Sequence, residues 1–557
     1  RASLIAHETA HMWFGDLVTM RWFDDVWTKE VFANFMAAKI VHPSFPDVNH
    51  DLRFLLAHHP SAYGVDRTRG ANPIRQPLGN LNEAGSLYGA IIYQKAPIVM
   101  KQLEALVGED TFRDGLREYL ATYAYGNATW PDLIRILDAL HPADLAGWSR
   151  VWVEEAGRPR IEVLPELDPG GVVTRVTLRQ SDERGRGLLW PQRLDVHLET
   201  SGGGLLRSVD LDGPEGEVHV EEPMLTLDWV LPNASGVEYA LFVLDDRSLG
   251  GLVDGLDAID DPVLRGAAWV TLWDAVLEGQ LAPERFLEIA LEAFPGESSE
   301  QLVGRILGYA ETTYWRLLSA QARQDRWQAR FEAALEGPLF SSGLGETDPT
   351  RATLLFRSWT DVAGSARAAD RMRGLWAGER TIPGVPLSET DRTSLALGLA
   401  LREAEGWRDI LDRQEGAISN PDRLARFRFV RPSVDPDPAV RRAFFESLRD
   451  PANREREPWV LSGLGNLNHP DRAAAAVEFV LPALEMMEEI QRTGDIFFPT
   501  RWIAAVLRGH NSGEVAGIVD GFLEGRPDYP PRLAEKILQA SDMVERSARI
   551  VYGEGDR

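Results

Sequence analysis

The spacing of apolar positions changes character twice along the chain. Over residues 1 to about 155 it runs near 3.6, the period of helices with one buried stripe. A first helix is expected to close near Gly15. A second, with Phe32, Phe35, Met36 and Ile40 on its apolar side, should stop near Val41, before Pro43. A third run, Asp51 to His59, carries Leu52, Phe54, Leu55 and Leu56. A fourth, Asn80 to Val107, carries Leu87, Ile91, Ile92, Val99, Met100 and Leu103. Asp110 to Leu140 reads as two further helices, the second opened by Thr129 as N-cap with Pro131 in its first turn.

At Gly157-Arg158-Pro159 the period falls to 2. Val172–Arg179, Leu194–Thr200, Leu205–Leu211, Met224–Val230 and Tyr239–Leu244 alternate between clusters of Gly, Pro, Asp and Asn, which predicts a small β-sandwich. From about Asp245 the strand signals stop. Helix starts then recur as a capping residue before proline: Asp261-Pro262, Asp348-Pro349, Asn420-Pro421, Asp437-Pro438 and His469-Pro470. Such a succession of amphipathic helices reads as an α-solenoid, its tryptophans serving as packing core. The expected architecture is multidomain and mostly α, with boundaries at 1–156, 157–244 and 245–557.

Composition narrows the function classes. The chain has 557 residues, 44% hydrophobic and 26% charged, ordinary for a folded multidomain protein. No run approaches eighteen apolar residues, so no membrane span is expected. A net charge of −26 argues against nucleic acid as a partner. With no cysteine, histidine and carboxylate are the strong metal ligands available.

Those ligands occur in one informative pattern. In HETAH, His7 and His11 are four residues apart, which on a helix turns both imidazoles to one face, about 40° apart in projection. Glu30, nineteen residues past His11, opens the second helix and can supply a third, carboxylate ligand. Three protein ligands with an open fourth position form the catalytic zinc pattern, in which a bound water is acidified and a carbonyl polarised. Glu8 follows the first ligand and is the candidate general base. Asp24 or Asp25 is a candidate hydrogen-bond partner for a ligand imidazole. His58 and His59 are neighbours pointing about 100° apart, which suits core or surface positions better than a shared metal.

The runs HETAHMWFGDLVTM, WFDDVWTKEVFANF and IIYQKAPIVM resemble the M1 zinc aminopeptidases of the gluzincin group, the aminopeptidase N family. The resemblance implies a thermolysin-like helical catalytic part, a sandwich and a HEAT- or ARM-like solenoid curving over the cleft. It also implies one Zn2+ on His7, His11 and Glu30, Glu8 as base, Tyr93 as the hydroxyl that stabilises the oxyanion, and peptide substrates. Two departures are local: Lys29 and Val31 flank Glu30 where the family has Asn and Gly, and Ala96-Pro97 replaces Gly-Ala. Pro97 has no N–H for the Tyr93 carbonyl, so a kink is expected there. The third departure is larger. The family's Gly-x-Met-Glu-Asn segment, which holds the substrate's α-amino group, lies upstream of HExxH, and only six residues precede His7 here. The chain is therefore expected to be the C-terminal part of a longer protein, hydrolysing aminoacyl anilides poorly by itself.

The reading that follows is a zinc aminopeptidase. Other gluzincin chemistries, endopeptidase or epoxide hydrolase, and an inactive helical scaffold are the alternatives. Side-chain preference, compartment and oligomeric state have no signature in the sequence.

Overall fold

The computed structural model describes residues 1–79, 88–220, 225–341 and 344–553. The chain folds as two compact units, Arg1–Gln280 and Leu281–Arg557.

The first unit opens with helices α1 (Ala2–Ala10), α2 (Val26–Val41) and α3 (His50–Asp66). A wide, π-helical turn at Ile91–Lys95 then runs into α4 (Ala96–Val107), followed by α5 (Glu109–Thr122), α6 (Trp130–Leu140) and α7 (Leu145–Val153). α2 ends at Val41, where the sequence places it. α1 stops at Ala10 rather than near Gly15, because the next amides turn to shorter and longer partners: Met12 N–H reaches Thr9 O and Asp16 N–H reaches His11 O. Gly15 takes φ +141° past that end, a conformation strained for a side-chain-bearing residue. α3 continues through Pro60 to Asp66, beyond the expected end at His59. The part of the fourth predicted helix from Asn80 to Leu87 lies outside the described residues.

Thr129 caps α6 reciprocally with Asp132, and Trp130 buries its ring 4.7 Å from that of Trp27 on α2. Two three-residue strands, β1 (Val18–Met20) and β2 (Gly126–Ala128), pair in parallel and bring the loop after the α1 turn against the start of α6.

The alternating region forms two small sheets. Strands β3 (Pro159–Leu167), β4 (Val173–Asp182), β5 (Gln192–Thr200), β6 (Gly203–Leu211), β7 (Glu215–Val218), β8 (Leu227–Leu231) and β9 (Leu241–Val243) arrange as β7-β4-β3-β9 and β6-β5-β8. β5 buries Gln192, Leu194, Val196, Leu198 and Thr200 in strict alternation, the period the sequence shows. Met224 lies outside the described residues. Helices α8 (Asp246–Gly255) and α9 (Pro262–Leu277) complete the unit, α9 packing on α3 and β9. The division between compact units thus falls after Gln280, whereas the change of sequence period falls near Asp245.

Among its described residues the second unit is built of helices from Pro283–Ala293 to Pro531–Tyr552, joined by turns and by a non-helical connection in which Ile382 bridges Val385. Asp348, Asn420 and Asp437 each cap a helix that starts at the following proline, and His469 does the same for a short 3₁₀ turn; in the first unit Asp261 caps α9. Its C-terminal half closes over Phe445, Trp502, Ile503, Val519 and Ile537, all nearly fully buried.

Candidate metal centre

α1 lies along α2, with Ala6 against Ala37 and Val41 in a small apolar seam, and Phe14 stacks on Phe32 at 4.7 Å. This packing sets His7 and His11 opposite Glu30. The small residues matter, because they let the two backbones approach closely enough for a glutamate to span the gap.

His7 Nε2 stands 3.6 Å and His11 Nε2 4.0 Å from Glu30 Oε2, and the two Nε2 atoms are 3.1 Å apart. Four-coordinate zinc, with bonds of about 2.0–2.1 Å, spaces its donors about 3.3–3.4 Å apart. The three observed separations bracket that value. The other nitrogens fix the tautomers. His7 Nδ1 meets Asn34 Oδ1 at 3.0 Å and His11 Nδ1 meets the Phe14 carbonyl at 3.1 Å. Both partners accept, so both Nδ1 atoms carry the proton, and both Nε2 lone pairs face each other and the carboxylate. Such a corner is electron-rich and calls for a cation, so the donor set fits a divalent metal. Among the described residues this is the one group of three or more His, Asp or Glu whose ligand atoms lie within 4.8 Å of one another.

The Glu30 carboxylate is divided between two partners, Oε2 toward the imidazoles and Oε1 toward Lys29 Nζ at 3.6 Å. Asp24 and Asp25, candidates in the sequence for imidazole partners, do something else. Both are held by Arg75, at 2.9 and 2.7 Å, at the entrance to α2. The partners of the imidazoles are Asn34 and a backbone carbonyl. Asn34 had a signal in the sequence, since it sits four residues after Glu30 and so on the same face of α2. A carbonyl partner leaves none.

Glu8 follows His7 on α1 and is exposed. Tyr93 lies in the π-helical turn, half-buried, its ring 6.1 Å from that of Tyr88 and inclined by 21°. Burial, then the charge of Glu30 and the neighbouring Tyr88, push the Tyr93 hydroxyl up to about 12, so it holds its proton at neutral pH. The kink expected at Pro97 takes the form of this wide turn, in which Ala96 N–H bonds Ile91 O, five residues back.

Lys95, the residue after the next from Tyr93, is wholly buried. Its Nζ pairs with Asp66 at 2.7 Å and donates to Gly157 O at 2.8 Å, and Asp66 also accepts from Tyr239 Oη at 2.8 Å. The turn bearing Tyr93 is thereby tied to the end of α3 and the start of the sheets. His59 is core, 3.0 Å from the Glu238 carbonyl, and burial drives its imidazole down to about 3. His58 is driven down to about 4, also chiefly by burial.

Residues 1–152 match the peptidase family M1 domain, and residues 229–546 match the ERAP1-like C-terminal domain. The chain is similar to an aminopeptidase N of Streptomyces lividans, 29% identical over 421 residues, covering 72% of this chain and 48% of the relative. It is also similar to a puromycin-sensitive aminopeptidase of Caenorhabditis elegans, 29% identical over 52% of this chain and 31% of that protein. A leucyl aminopeptidase of Saccharolobus solfataricus is 35% identical over 29% of this chain and 21% of its own length. The chain spans less than half the length of each of these curated relatives. With an M1 peptidase match on the helices that carry HETAH and Glu30, and an ERAP1-like C-terminal match over more than half its length, the chain belongs to the M1 peptidase family.

Proposed function

We propose that this chain carries the zinc centre of a metallopeptidase that removes amino acids from the N-termini of peptides. The observation that carries the reading is the meeting of His7 Nε2, His11 Nε2 and Glu30 Oε2 within 4.0 Å of one another, with both imidazole tautomers set toward the gap. Zinc held there supplies Lewis acidity, polarising the scissile carbonyl and acidifying the attacking water.

The remaining roles belong to side chains. Glu8 takes the proton of the attacking water and hands it to the leaving amine. Tyr93, protonated at neutral pH, donates a hydrogen bond to the carbonyl oxygen as it gains charge. Lys29 pairs with Glu30 Oε1, which leaves Glu30 Oε2 facing the two imidazoles, where it would help hold the metal. In architecture the reading implies a thermolysin-like helical part over 1–156, a β-sandwich over 157–244 and a solenoid over 245–557. The names of the relatives support the aminopeptidase reading over the other gluzincin chemistries.

The test is Glu8→Gln. The variant should keep one zinc per chain by elemental analysis while losing hydrolysis by about 10²–10⁴-fold, the usual worth of a positioned acid or base. Loss of the metal, or wild-type turnover, refutes the assignment. Comparing free with N-acetylated peptides separates removal of N-terminal residues from internal cleavage.

A further inference from the structure

The second unit holds a cavity of about 560 Å³ among the helices Glu300–Thr312, Pro349–Val362, Glu389–Leu401, Pro421–Val430 and Glu457–Leu467. Its charge runs against that of the chain. Five arginines line it, against two carboxylates, Glu311 and Asp361, in a protein whose formal charge is −26.

Three of the arginines are engaged. Arg402 donates to the carbonyls of Thr360 and Asp361 at 3.0 and 2.9 Å, Arg423 pairs with Glu389 at 3.3 Å, and Arg426 donates to Ser462 Oγ at 3.1 Å. Arg316 and Arg508 are different. Among the described residues neither guanidinium has an ion pair or a hydrogen bond, and Arg316 Nε and Nη2 are closed off from solvent. Burial, with the charge of Arg508 as the second cause, brings Arg316 down to about 10, which leaves it cationic at neutral pH. Arg508 is exposed and feels the charge of Glu311, so the cation left without a counter-charge is Arg316. Burial and the charge of Asp361 push Glu311 up to about 7, and Asp361 accepts from Trp315 Nε1 at 3.0 Å.

A desolvated cation without a counter-charge is costly, and a protein keeps one where an anion is to arrive. The guanidinium fork matches two oxygens of a carboxylate or phosphate. Beside it, Leu397, Leu401, Phe427, Val430 and Leu461 supply an apolar wall, and the volume suits a small organic molecule rather than a bare ion. We propose that this cavity binds a small organic oxyanion, a carboxylate or phosphate carried on an apolar body, with Arg316 and Arg508 holding the oxygens.

The experiment titrates the full chain with phenyl phosphate, 3-phenylpropionate and inorganic phosphate by calorimetry, over chloride as the background anion. An organic anion should bind with Kd below about 1 mM. Arg316→Met and Arg508→Met should each weaken it about tenfold or more, the loss of one charge-assisted hydrogen bond. Without ligand, Arg316→Met should melt at the same temperature as the parent or higher, since it removes an uncompensated charge. The stronger of the two organic ligands tells phosphate from carboxylate. Equal binding by parent and variants overturns the proposal, as does no organic anion bound at about 10 mM or binding of inorganic phosphate alone. A lower melting temperature for ligand-free Arg316→Met would make Arg316 a structural residue and overturn it too.

Discussion

Replacing Asn34 with leucine isolates what the hydrogen bond to His7 contributes to the metal centre. Its Oδ1 accepts from His7 Nδ1 at 3.0 Å, which keeps the Nε2 lone pair on the side of Glu30 and His11. Leucine fills similar volume but accepts nothing. The bond is worth about 0.5–1.5 kcal/mol to a neutral imidazole and about 1.5–3 to one that carries charge, so its loss weakens metal binding by the difference, roughly 1 kcal/mol. The freed imidazole then divides its time between two tautomers and more than one ring orientation, roughly 0.4–0.7 kcal/mol more if two or three states open. The sum, about 1–2 kcal/mol, is roughly a five- to thirtyfold loss of metal affinity, overlapping the roughly 10–100-fold seen when such partners are removed. Competition with a chromogenic zinc chelator measures it directly and needs no turnover. Asn34→Asp should retain or exceed parental affinity, since a carboxylate accepts more strongly. The metal-free protein also forms this bond, so its stability should fall by no more than about 0.5–1.5 kcal/mol, because α1 and α2 are held as well by Ala6, Ala37, Val41 and the Phe14–Phe32 stack. Unchanged affinity in Asn34→Leu would refute the reasoning.

Three further outcomes follow from the same structure. Tyr93→Phe should lower kcat about 10²–10³-fold with little change in KM, the cost of one oxyanion donor; a KM effect alone would make Tyr93 a binding residue. Lys536 is buried, and burial together with the charge of Arg532 lowers it from 10.5 to about 8. Between those values the unfolded chain holds the proton and the native one does not, so parental stability rises with pH from 8 to 10.5, a span on the order of 3 kcal/mol. Lys536→Met should therefore be the more stable protein at pH 7 by calorimetry, with the gap closing above pH 8; a gap constant with pH contradicts it. At Gly509 an added Cβ would overlap the backbone carbonyl of Asn468, and that oxygen cannot swing aside as a side-chain tip would. Gly509→Ala should cost about 1–3 kcal/mol in chemical denaturation, and a neutral result would mean that the close approach is absent in solution.

What the sequence made legible was whatever depends on near neighbours. The end of α2 at Val41, the reciprocal cap at Thr129 and the helix starts at Pro262, Pro349, Pro421 and Pro438 are all set within one turn, by a missing N–H or a side chain returning to an amide. The spacing of His7, His11 and Glu30 is of the same kind once both helices are granted. What stayed hidden depends on partners far along the chain. β1 and β2 are three residues each and pair positions more than a hundred apart, with no alternation long enough to detect. Asp24 and Asp25 looked available because their occupant, Arg75, comes fifty residues later. The packing of α9 on α3, which carries the first unit on to Gln280, is likewise non-local. Pro97 announced a disturbance but not its form, since a kink and a widened turn both relieve the clash at the carbonyl four residues back.

That widened turn makes the count of residues before Pro97 matter as much as their identity. It holds one residue more than a regular turn, so it works as a phase shifter, offsetting whatever precedes it by about 100° from an uninterrupted helix. Downstream, Ile98, Met100 and Leu103 are buried in the interior. Forcing the full count of residues into a regular helix would swing the phenol of position 93 out of line with Glu30, whereas excising Gln94 would take up the slack in a regular turn and leave both flanks in phase.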